Sequence, residues 1–382
     1  LGKAVSTTEF AVLPPKTPLA ASYYRILRRL WRKGAITPIA LFKELDLSRT
    51  LGDRLLDQMS QEGVAATDPD TGLLRLQESY GTILGLHMGT QTVSGALVNF
   101  AGELLMTKEF PFPEQGTPLV KAILGAVAHM EPFIRPPAAP PLRGVAISLP
   151  GVVDPNRLIL LESNPLQLHE PVFLKEALSR PLGRPITIEN DANCCCWGEA
   201  VLHRQQALGN FLYILAEQRP YSVGNNKGIS TSLAVGFGLY LNGSVYHGSG
   251  FSAGEFQSIL KEDSTQRNQF SVTDEEMIFS SEDTNLEEKI ARELSRHAAL
   301  LVNTLNLDRV YISWPKPMRV GRIVSMLREA IQQNWSYDHQ VKCSVELPTM
   351  GLMAPAFGAA GLHLESLYQS ADGPAPYFPG KS

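Results

Sequence analysis

Cysteine is scarce and poorly placed for cross-linking: three of the four, Cys194, Cys195 and Cys196, are consecutive, and Cys343 lies far downstream. That arrangement builds neither a disulfide framework nor spaced metal-ligand pairs, and reads as reduced thiols in a cytosolic compartment. Long apolar runs are missing too. No stretch approaches the roughly 18 residues of a membrane span, and the N-terminus shows no compact apolar core with a cleavage pattern, so a cytoplasmic protein without a membrane partner is expected. Charged residues make up only 19% against 44% hydrophobic, which excludes wholesale disorder, and 382 residues exceed one ordinary core. The charge is unevenly spread. Residues 1–60 hold ten Lys/Arg against five Asp/Glu, whereas the remaining 322 hold 24 against 33, so only the front suits a polyanion.

That basic front reads as short helices. Ser22 is placed to cap a helix with Ile26, Leu27, Leu30 and Trp31 on one stripe and Arg25, Arg28, Arg29, Arg32 and Lys33 around it, stopped by Gly34. Thr37-Pro38 starts a second helix buried through Leu41, Phe42 and Leu45. Asp46 tolerates a tight turn, and Ser48 caps a third helix whose inner face is Leu51, Leu55 and Met59. Arg49, Thr50, Asp53 and Arg54 are left toward solvent. This is helix-turn-helix spacing. Residues 64–67 and 73–77 around Asp68-Pro69-Asp70-Thr71-Gly72 form a hairpin, the wing of a winged helix. In such a unit the third helix enters the major groove, with Ser48, Arg49, Thr50, Asp53 and Arg54 nearest the bases and Arg25, Arg28 and Arg32 on phosphates. A protein-docking cap with a solvated charged surface is the alternative.

From Gly81 the pattern becomes α/β. Residues 82–86, 91–99 and 103–110 read as a strand meander, 119–130 as a helix, 132–141 as a proline-rich loop and 144–149 as a strand running into Pro150-Gly151. Helices at 172–178, 194–206 and 286–305 alternate with strands at 186–189, 211–216, 232–241 and 310–312. Chemistry concentrates where a strand ends in Glu189-Asn190-Asp191 and a helix begins near Asn193, since ligands of open α/β folds bind at the carboxyl edge of the sheet. Asp191 can accept a hydroxyl proton; equally, Asp191 and Asn193 can simply cap the helix. A second polar group, Gly248 to Glu255, follows a hairpin turning at Asn242-Gly243, and its glycines allow backbone to approach a ligand. A plain surface loop is its other reading.

Taken in order, Arg25-Ile26-Leu27, Leu47-Ser48-Arg49-Thr50, Pro150-Gly151-Val152-Val153-Asp154, Glu189-Asn190-Asp191-Ala192-Asn193 with Gly198-Glu199, Asn242-Gly243, Ala253-Gly254-Glu255 and Phe357-Gly358-Ala359-Ala360 resemble the ROK family. That family groups sugar-responsive transcriptional repressors with sugar kinases on a two-lobed, actin-like ATPase fold. The resemblance implies a winged helix-turn-helix over residues 1–78, a first lobe over 79–200 joined by a closing helix at about 355–370, and a second lobe over 201–354. It implies a sugar site of Asn190, Asp191 and Glu255, with Asp191 at the kinase general-base position. A homodimer on double-stranded operator DNA is implied as well, with dimers of dimers in some relatives.

Departures from the family pattern shape the functional expectation. Gly85-Leu86-His87-Met88-Gly89-Thr90-Gln91 puts His87 where the kinases carry a metal-associated aspartate, Ala234-Val235-Gly236-Phe237-Gly238 alters the second glycine loop, and Trp314-Pro315 replaces a Gly-Gly. Ser258 stands where a zinc-binding histidine belongs, and no cysteine lies in 261–270, so no metal and no cofactor are expected, with local packing on Phe256, Ile259 and Leu260 instead. Phosphoryl transfer depends on positioning and electrostatics, so three altered elements outweigh one retained base. The expectation is a carbohydrate-sensing repressor whose kinase activity is lost; an ATP-dependent sugar kinase of the hexokinase type is the alternative.

Overall fold

The computed structural model describes residues 18–368 apart from 114–115, 135–138, 207, 222–229, 281 and 316–318. The chain divides into one unit of residues 1–77 with 366–375 and another of 78–365 with 376–382.

In the first unit, helices α1 (Pro18–Lys33), α2 (Pro38–Glu44) and α3 (Arg49–Gln61) precede an antiparallel hairpin of β1 (Ala65–Thr67) and β2 (Leu74–Leu76), with Ala65 opposite Leu76. The expected caps hold α2 and α3: the Thr37 hydroxyl accepts from the Ala40 N–H at 3.4 Å and the Ser48 hydroxyl from Leu51 at 3.3 Å. Ser22, expected as a cap, lies inside α1 and is buried, because the apolar stripe begins earlier, at Ala20. Ile26, Leu30 and Trp31 are buried as expected, and the Trp31 ring stacks on Tyr368 at 4.8 Å. A bridge between Ile36 and Leu74 adds a third strand-like segment to the hairpin, through N–H to O distances of 3.2 and 2.8 Å, which a two-strand reading had missed.

The second unit is an α/β body. Its first sheet combines a meander of β3 (Thr82–Met88), β4 (Thr92–Asn99) and β5 (Leu104–Pro111) with β6 (Leu142–Leu149) and a later strand. Helix α4 (Leu119–Ile134) covers it and carries Pro132 inside its last turn. The expected loop therefore starts later than Pro132. A proline there forfeits a helical hydrogen bond, and burial of Met130 and Ile134 outweighs that loss. Residues 135–138 of that loop lie outside the described residues. A small three-stranded sheet follows, β7 (Val152–Asp154), β8 (Ile159–Glu162) and β9 (Val172–Phe173), then α5 (Leu174–Leu182), so the helix expected from Val172 opens two residues later. Strand β10 (Ile186–Asn190) runs parallel to β6, giving the sheet order β10-β6-β3-β4-β5, and leads directly into α6 (Asp191–Leu202).

The second sheet has the order β13-β12-β11-β14-β15, from β11 (Phe211–Tyr221), β12 (Ser230–Leu241), β13 (Ser244–Val245), β14 (Arg309–Ser313) and β15 (Ser344–Glu346). The turn between β12 and β13 places Asn242 and Gly243 at φ 55° and 84°, the left-handed pair that an Asn-Gly hairpin favours. Helices α7 (Asp274–Phe279), α8 (Thr284–Leu305) and α9 (Val320–Gln333) complete this half, and α10 (Ala354–Tyr368) closes the described chain. Residues 369 and 370, expected in that closing helix, lie outside the described residues. This is the α/β fold expected, a two-lobed sugar-kinase-like body preceded by a helical region.

Close approaches of backbone hold α6 and α10 in place. A side chain at Gly358 would run into the Cys194 carbonyl, one at Gly85 into the Ala356 carbonyl, and one at Gly238 into Cys196 and Ala192. Ala192, Cys195, Cys196 and Trp197 then share a core with Phe211, Tyr213, Tyr240 and Tyr311 of the second sheet. Gly358→Ala is expected to cost about 1 to 3 kcal/mol of stability, because both crowded partners are backbone and cannot rotate away. Chemical denaturation of the variant against wild type measures it.

Candidate functional site

Strand β10 ends by pointing a carboxylate and an amide at the same corner from which α6 departs. Asn190 is the N-cap of α6, its side-chain oxygen accepting from the Asn193 N–H at 3.1 Å while its amide nitrogen donates to the Gly151 carbonyl at 2.9 Å. The helix thus starts at Asp191, two residues before the expected Asn193, and the capping role belongs to Asn190. Asp191 is nearly fully buried, with Oδ1 accepting from the Ala192 N–H at 2.9 Å and Oδ2 from an Arg219 guanidinium nitrogen at 3.0 Å. Burial pushes the Asp191 carboxyl up, with Arg219 opposing that rise and Glu217 adding to it.

Glu189 anchors the corner from behind. Its Oε1 accepts from the Asn190 backbone at 2.8 Å and from the Asn193 amide at 3.1 Å, and its Oε2 pairs with His247 Nε2 at 2.7 Å. His247 comes from the segment after β13, so this bond ties the second polar segment to the end of β10. Glu255 completes the set on a backbone pinned to β12: Phe237 N–H donates to the Gly254 carbonyl at 3.0 Å, and Gly254 has φ +94° with no room for a side chain beside Phe237. The Glu255 side chain stays open to solvent, and the protein mass around it, then the Asp191 charge, raise its carboxyl. Sequence reasoning named Asn190, Asp191 and Glu255, and the structure adds Glu189, His247, Glu217 and Arg219 around them. The last three carried no motif of their own.

The altered family elements take unexpected forms. His87 is buried on β3, with Nδ1 at 3.1 Å from the Ser148 hydroxyl and Nε2 at 3.8 Å from Glu217. Ala234 to Gly238, compared above with the family's second glycine loop, lies in the middle of β12, within the strand read over 232–241, with Gly236 opposite Leu215 and Gly238 opposite Tyr213. The glycines there make room for α6. Trp314 is buried and donates from Nε1 to Glu287 at 3.0 Å, and Arg319 pairs with the same carboxylate. Ile259 and Leu260, expected as packing residues, are 79% and 45% exposed. The segment is held by polar bonds instead: Lys261 Nζ donates to the carbonyls of Gln266 and Asn268 at 2.8 and 2.9 Å, while Phe256 packs among Phe237, Phe270 and His297.

Among the described residues no helix is long and apolar enough to cross a membrane, and no three His, Cys, Asp or Glu residues are grouped to hold a metal. All four cysteines are free thiols, and burial pushes Cys194, Cys195 and Cys196 well above the usual thiol range.

In the first unit, Arg49, Thr50, Asp53 and Arg54 are exposed on α3, with Arg49 and Asp53 3.6 Å apart. Arg28 is exposed on α1, whereas Arg25 donates to the Leu45 carbonyl at 2.6 Å and Arg29 pairs with Glu44 at 2.7 Å.

The ROK family model matches residues 83–269. The match spans just under half of the chain, which over that stretch is similar to the ROK family. A putative xylose repressor from Caldicellulosiruptor sp. (strain Rt8B.4) is 24% identical over 60% of this chain and 56% of its own length. A beta-glucoside kinase from Listeria innocua is 32% identical over 31% of this chain and 35% of its own. The chain thus spans about half or less of the curated relatives it matches. Among solved structures, a ROK family transcriptional regulator that is a homolog of the E. coli MLC protein superposes with a TM-score of 0.66 at 17% identity, covering 91% of this chain and 96% of that one, which shows the shared fold.

The expected loss of kinase activity does not stand. Beta-glucoside kinases from Listeria and Klebsiella and glucokinases from Streptomyces predominate among the ROK relatives. Physically, phosphate is gripped largely by backbone N–H groups and helix termini, so altered side chains in phosphate segments are a weak guide to activity.

The His247–Glu189 pair gives a pH signature. Burial works against a charged imidazolium, but the Glu189 bond and charge outweigh it and raise the His247 pKa. With the folded pKa above the unfolded value of about 6.5, the stabilisation is full below that pH and lost as pH rises through the folded pKa. Melting temperatures between about pH 5.5 and 8.5 should therefore fall more steeply for wild type than for His247→Gln.

Proposed function

We propose that the chain is a sugar-binding ROK protein whose site consists of Asn190, Asp191 and Glu255. Residues 79–200 with the closing helix form one lobe, residues 201–354 the other, and the sugar lies between them. The observation that carries this reading is the buried Asp191 at the first turn of α6, beside the carboxyl edge of the first sheet. Each of its oxygens already holds one donor, and each keeps a lone pair for a sugar hydroxyl. Asp191, Glu217 and Glu255 outnumber the one guanidinium among them, so neutral hexoses and amino sugars are favoured over sugar phosphates.

The relatives favour catalysis at this site: ATP-dependent, hexokinase-type phosphoryl transfer. Asp191 is the general base, taking the proton of the sugar hydroxyl as that oxygen attacks the terminal phosphorus of ATP, while the bond from that phosphorus to the bridging oxygen breaks and ADP leaves. A coupled phosphorylation assay across hexoses and amino sugars tests it. Turnover of order 1 to 100 per second is expected, with Asp191→Asn lowering kcat by about 10²- to 10⁴-fold. Absence of turnover on every sugar, with binding intact, would overturn the catalytic reading. Calorimetry on the same sugars tests binding separately; equal affinity of wild type and Asp191→Ala would place the sugar elsewhere.

A second reading, transcription regulation, is favoured by the capped α3 with exposed Arg49 and Arg54 beside a hairpin. Here the first unit reads operator DNA, Ser48, Arg49, Thr50, Asp53 and Arg54 facing bases and Arg25, Arg28 and Arg32 facing phosphates. A homodimer lets two short recognition helices act on a pseudopalindrome, and sugar acts only through unequal affinity for two conformations. On a duplex library, Arg49→Ala should relax specificity by about 1 to 3 kcal/mol at one base pair, whereas Arg28→Ala should weaken all sequences alike. Light scattering of the complex should give two chains per operator.

A further inference from the structure

Strands β11 and β12 stay paired as far as Pro220 with Thr231 and Tyr221 with Ser230, and this long hairpin brings Glu217 and Arg219 to the start of α6. The Arg219 guanidinium bridges two carboxylates, at 3.0 Å from Asp191 Oδ2 and 3.1 Å from Glu217 Oε2, with a further bond from Nε to Glu217 at 3.3 Å. Glu217's other oxygen lies 3.8 Å from His87 Nε2 on β3, and His87 Nδ1 lies 3.1 Å from Ser148 on β6. A connected polar chain therefore runs from the first sheet through β11 to the base position.

We propose that Arg219 is a positioning residue that keeps Asp191 ionised and fixes the direction of its Oδ2 toward a bound sugar hydroxyl. This deepens the sugar-site reading and rests on it for its functional consequence. The physical need is plain: a carboxylate buried at a helix start, facing Glu217 from β11 and Glu255 from the loop after β13, has both carboxylate neighbours working against its charge. Arg219 is the guanidinium that opposes them, and His87 on β3 is the other basic group facing Asp191. Asp191 and Glu217 in turn outweigh the burial penalty on Arg219 and raise its pKa, so the cation is permanent.

The test needs no sugar. In full-length protein labelled with [¹³C]carboxyl aspartate, the Asp191 resonance, identified by its loss in Asp191→Asn, is titrated in wild type, Arg219→Gln, Arg219→Lys and Glu217→Gln. Arg219→Gln should move the titration of Asp191 up by about 1 to 3 pH units, Arg219→Lys should stay nearer wild type, and Glu217→Gln should move it down. Glu217→Gln keeps the claim decidable if Arg219→Gln fails to fold, since its predicted shift has the opposite sign. No upward shift in a folded Arg219→Gln, or no downward shift in Glu217→Gln, overturns the proposal. Calorimetric titration with glucose and glucosamine supplies the functional arm: the affinity of Arg219→Gln should fall at neutral pH, and an increase would mean that Arg219 blocks the site instead. Failure of the wild type to bind any sugar would sink the sugar-site reading alone, leaving the titration to judge Arg219.

Discussion

Helix α6 is gripped on two sides by contacts that backbone makes directly, and the site depends on that grip. On one side Gly358 of α10 sits against the Cys194 carbonyl; on the other Gly238 of β12 sits against Ala192 and Cys196. At the first point backbone meets backbone, and at the second Gly238 meets the Ala192 carbonyl and the Cys196 sulfur, so a shift of the helix loses close-packed contact on both faces. Its first residue is thereby held at the end of β10 as a buried acid. The three consecutive cysteines belong to this arrangement as small, polarisable filling, all fully buried between helix and sheet.

Burying Asp191 creates an electrostatic debt that the second sheet settles. Isolated carboxylates in low dielectric protonate, and here Glu217 and Glu255 each add their charge against that of Asp191. The lengthened β11–β12 hairpin answers with Arg219, and His247 answers Glu189 in the layer behind. Both partners come from the half of the body remote in sequence from the acids they neutralise. Charge balance and tertiary joining are thus one feature, because Arg219 ties β11 to the start of α6 and His247 ties the segment after β13 to the end of β10.

Polar side chains order the irregular segment between β13 and α7. In this chain Lys261 uses its ammonium as a three-donor hub on backbone carbonyls, Gln269 bonds both the Val235 N–H and carbonyl, and Asn268 bonds Val272 and Asp274. Such a network leaves few buried backbone groups unpaired, which is the requirement any loop at this depth must meet. It also explains why Ile259 and Leu260 are free to face solvent.

Local chemistry was legible in the sequence wherever it was sufficient. Thr37 and Ser48 cap helices because a hydroxyl before a helical run satisfies an otherwise orphaned N–H, and Asn242-Gly243 turns a hairpin because both residues tolerate positive φ. The motif around Asn190, Asp191 and Glu255 likewise named the corner of the fold where polar groups meet. Local signals failed where burial overrode them, as at Pro132 inside α4; Gly236 and Gly238 lie inside the strand read over 232–241, and they make room for a helix. Only the tertiary structure could place Glu217, Arg219 and His247 beside those acids. Arg219 and His247 lie 28 and 58 residues from their carboxylate partners Asp191 and Glu189, and a pair that forms between elements so far apart in sequence leaves no trace in the spacing of either segment.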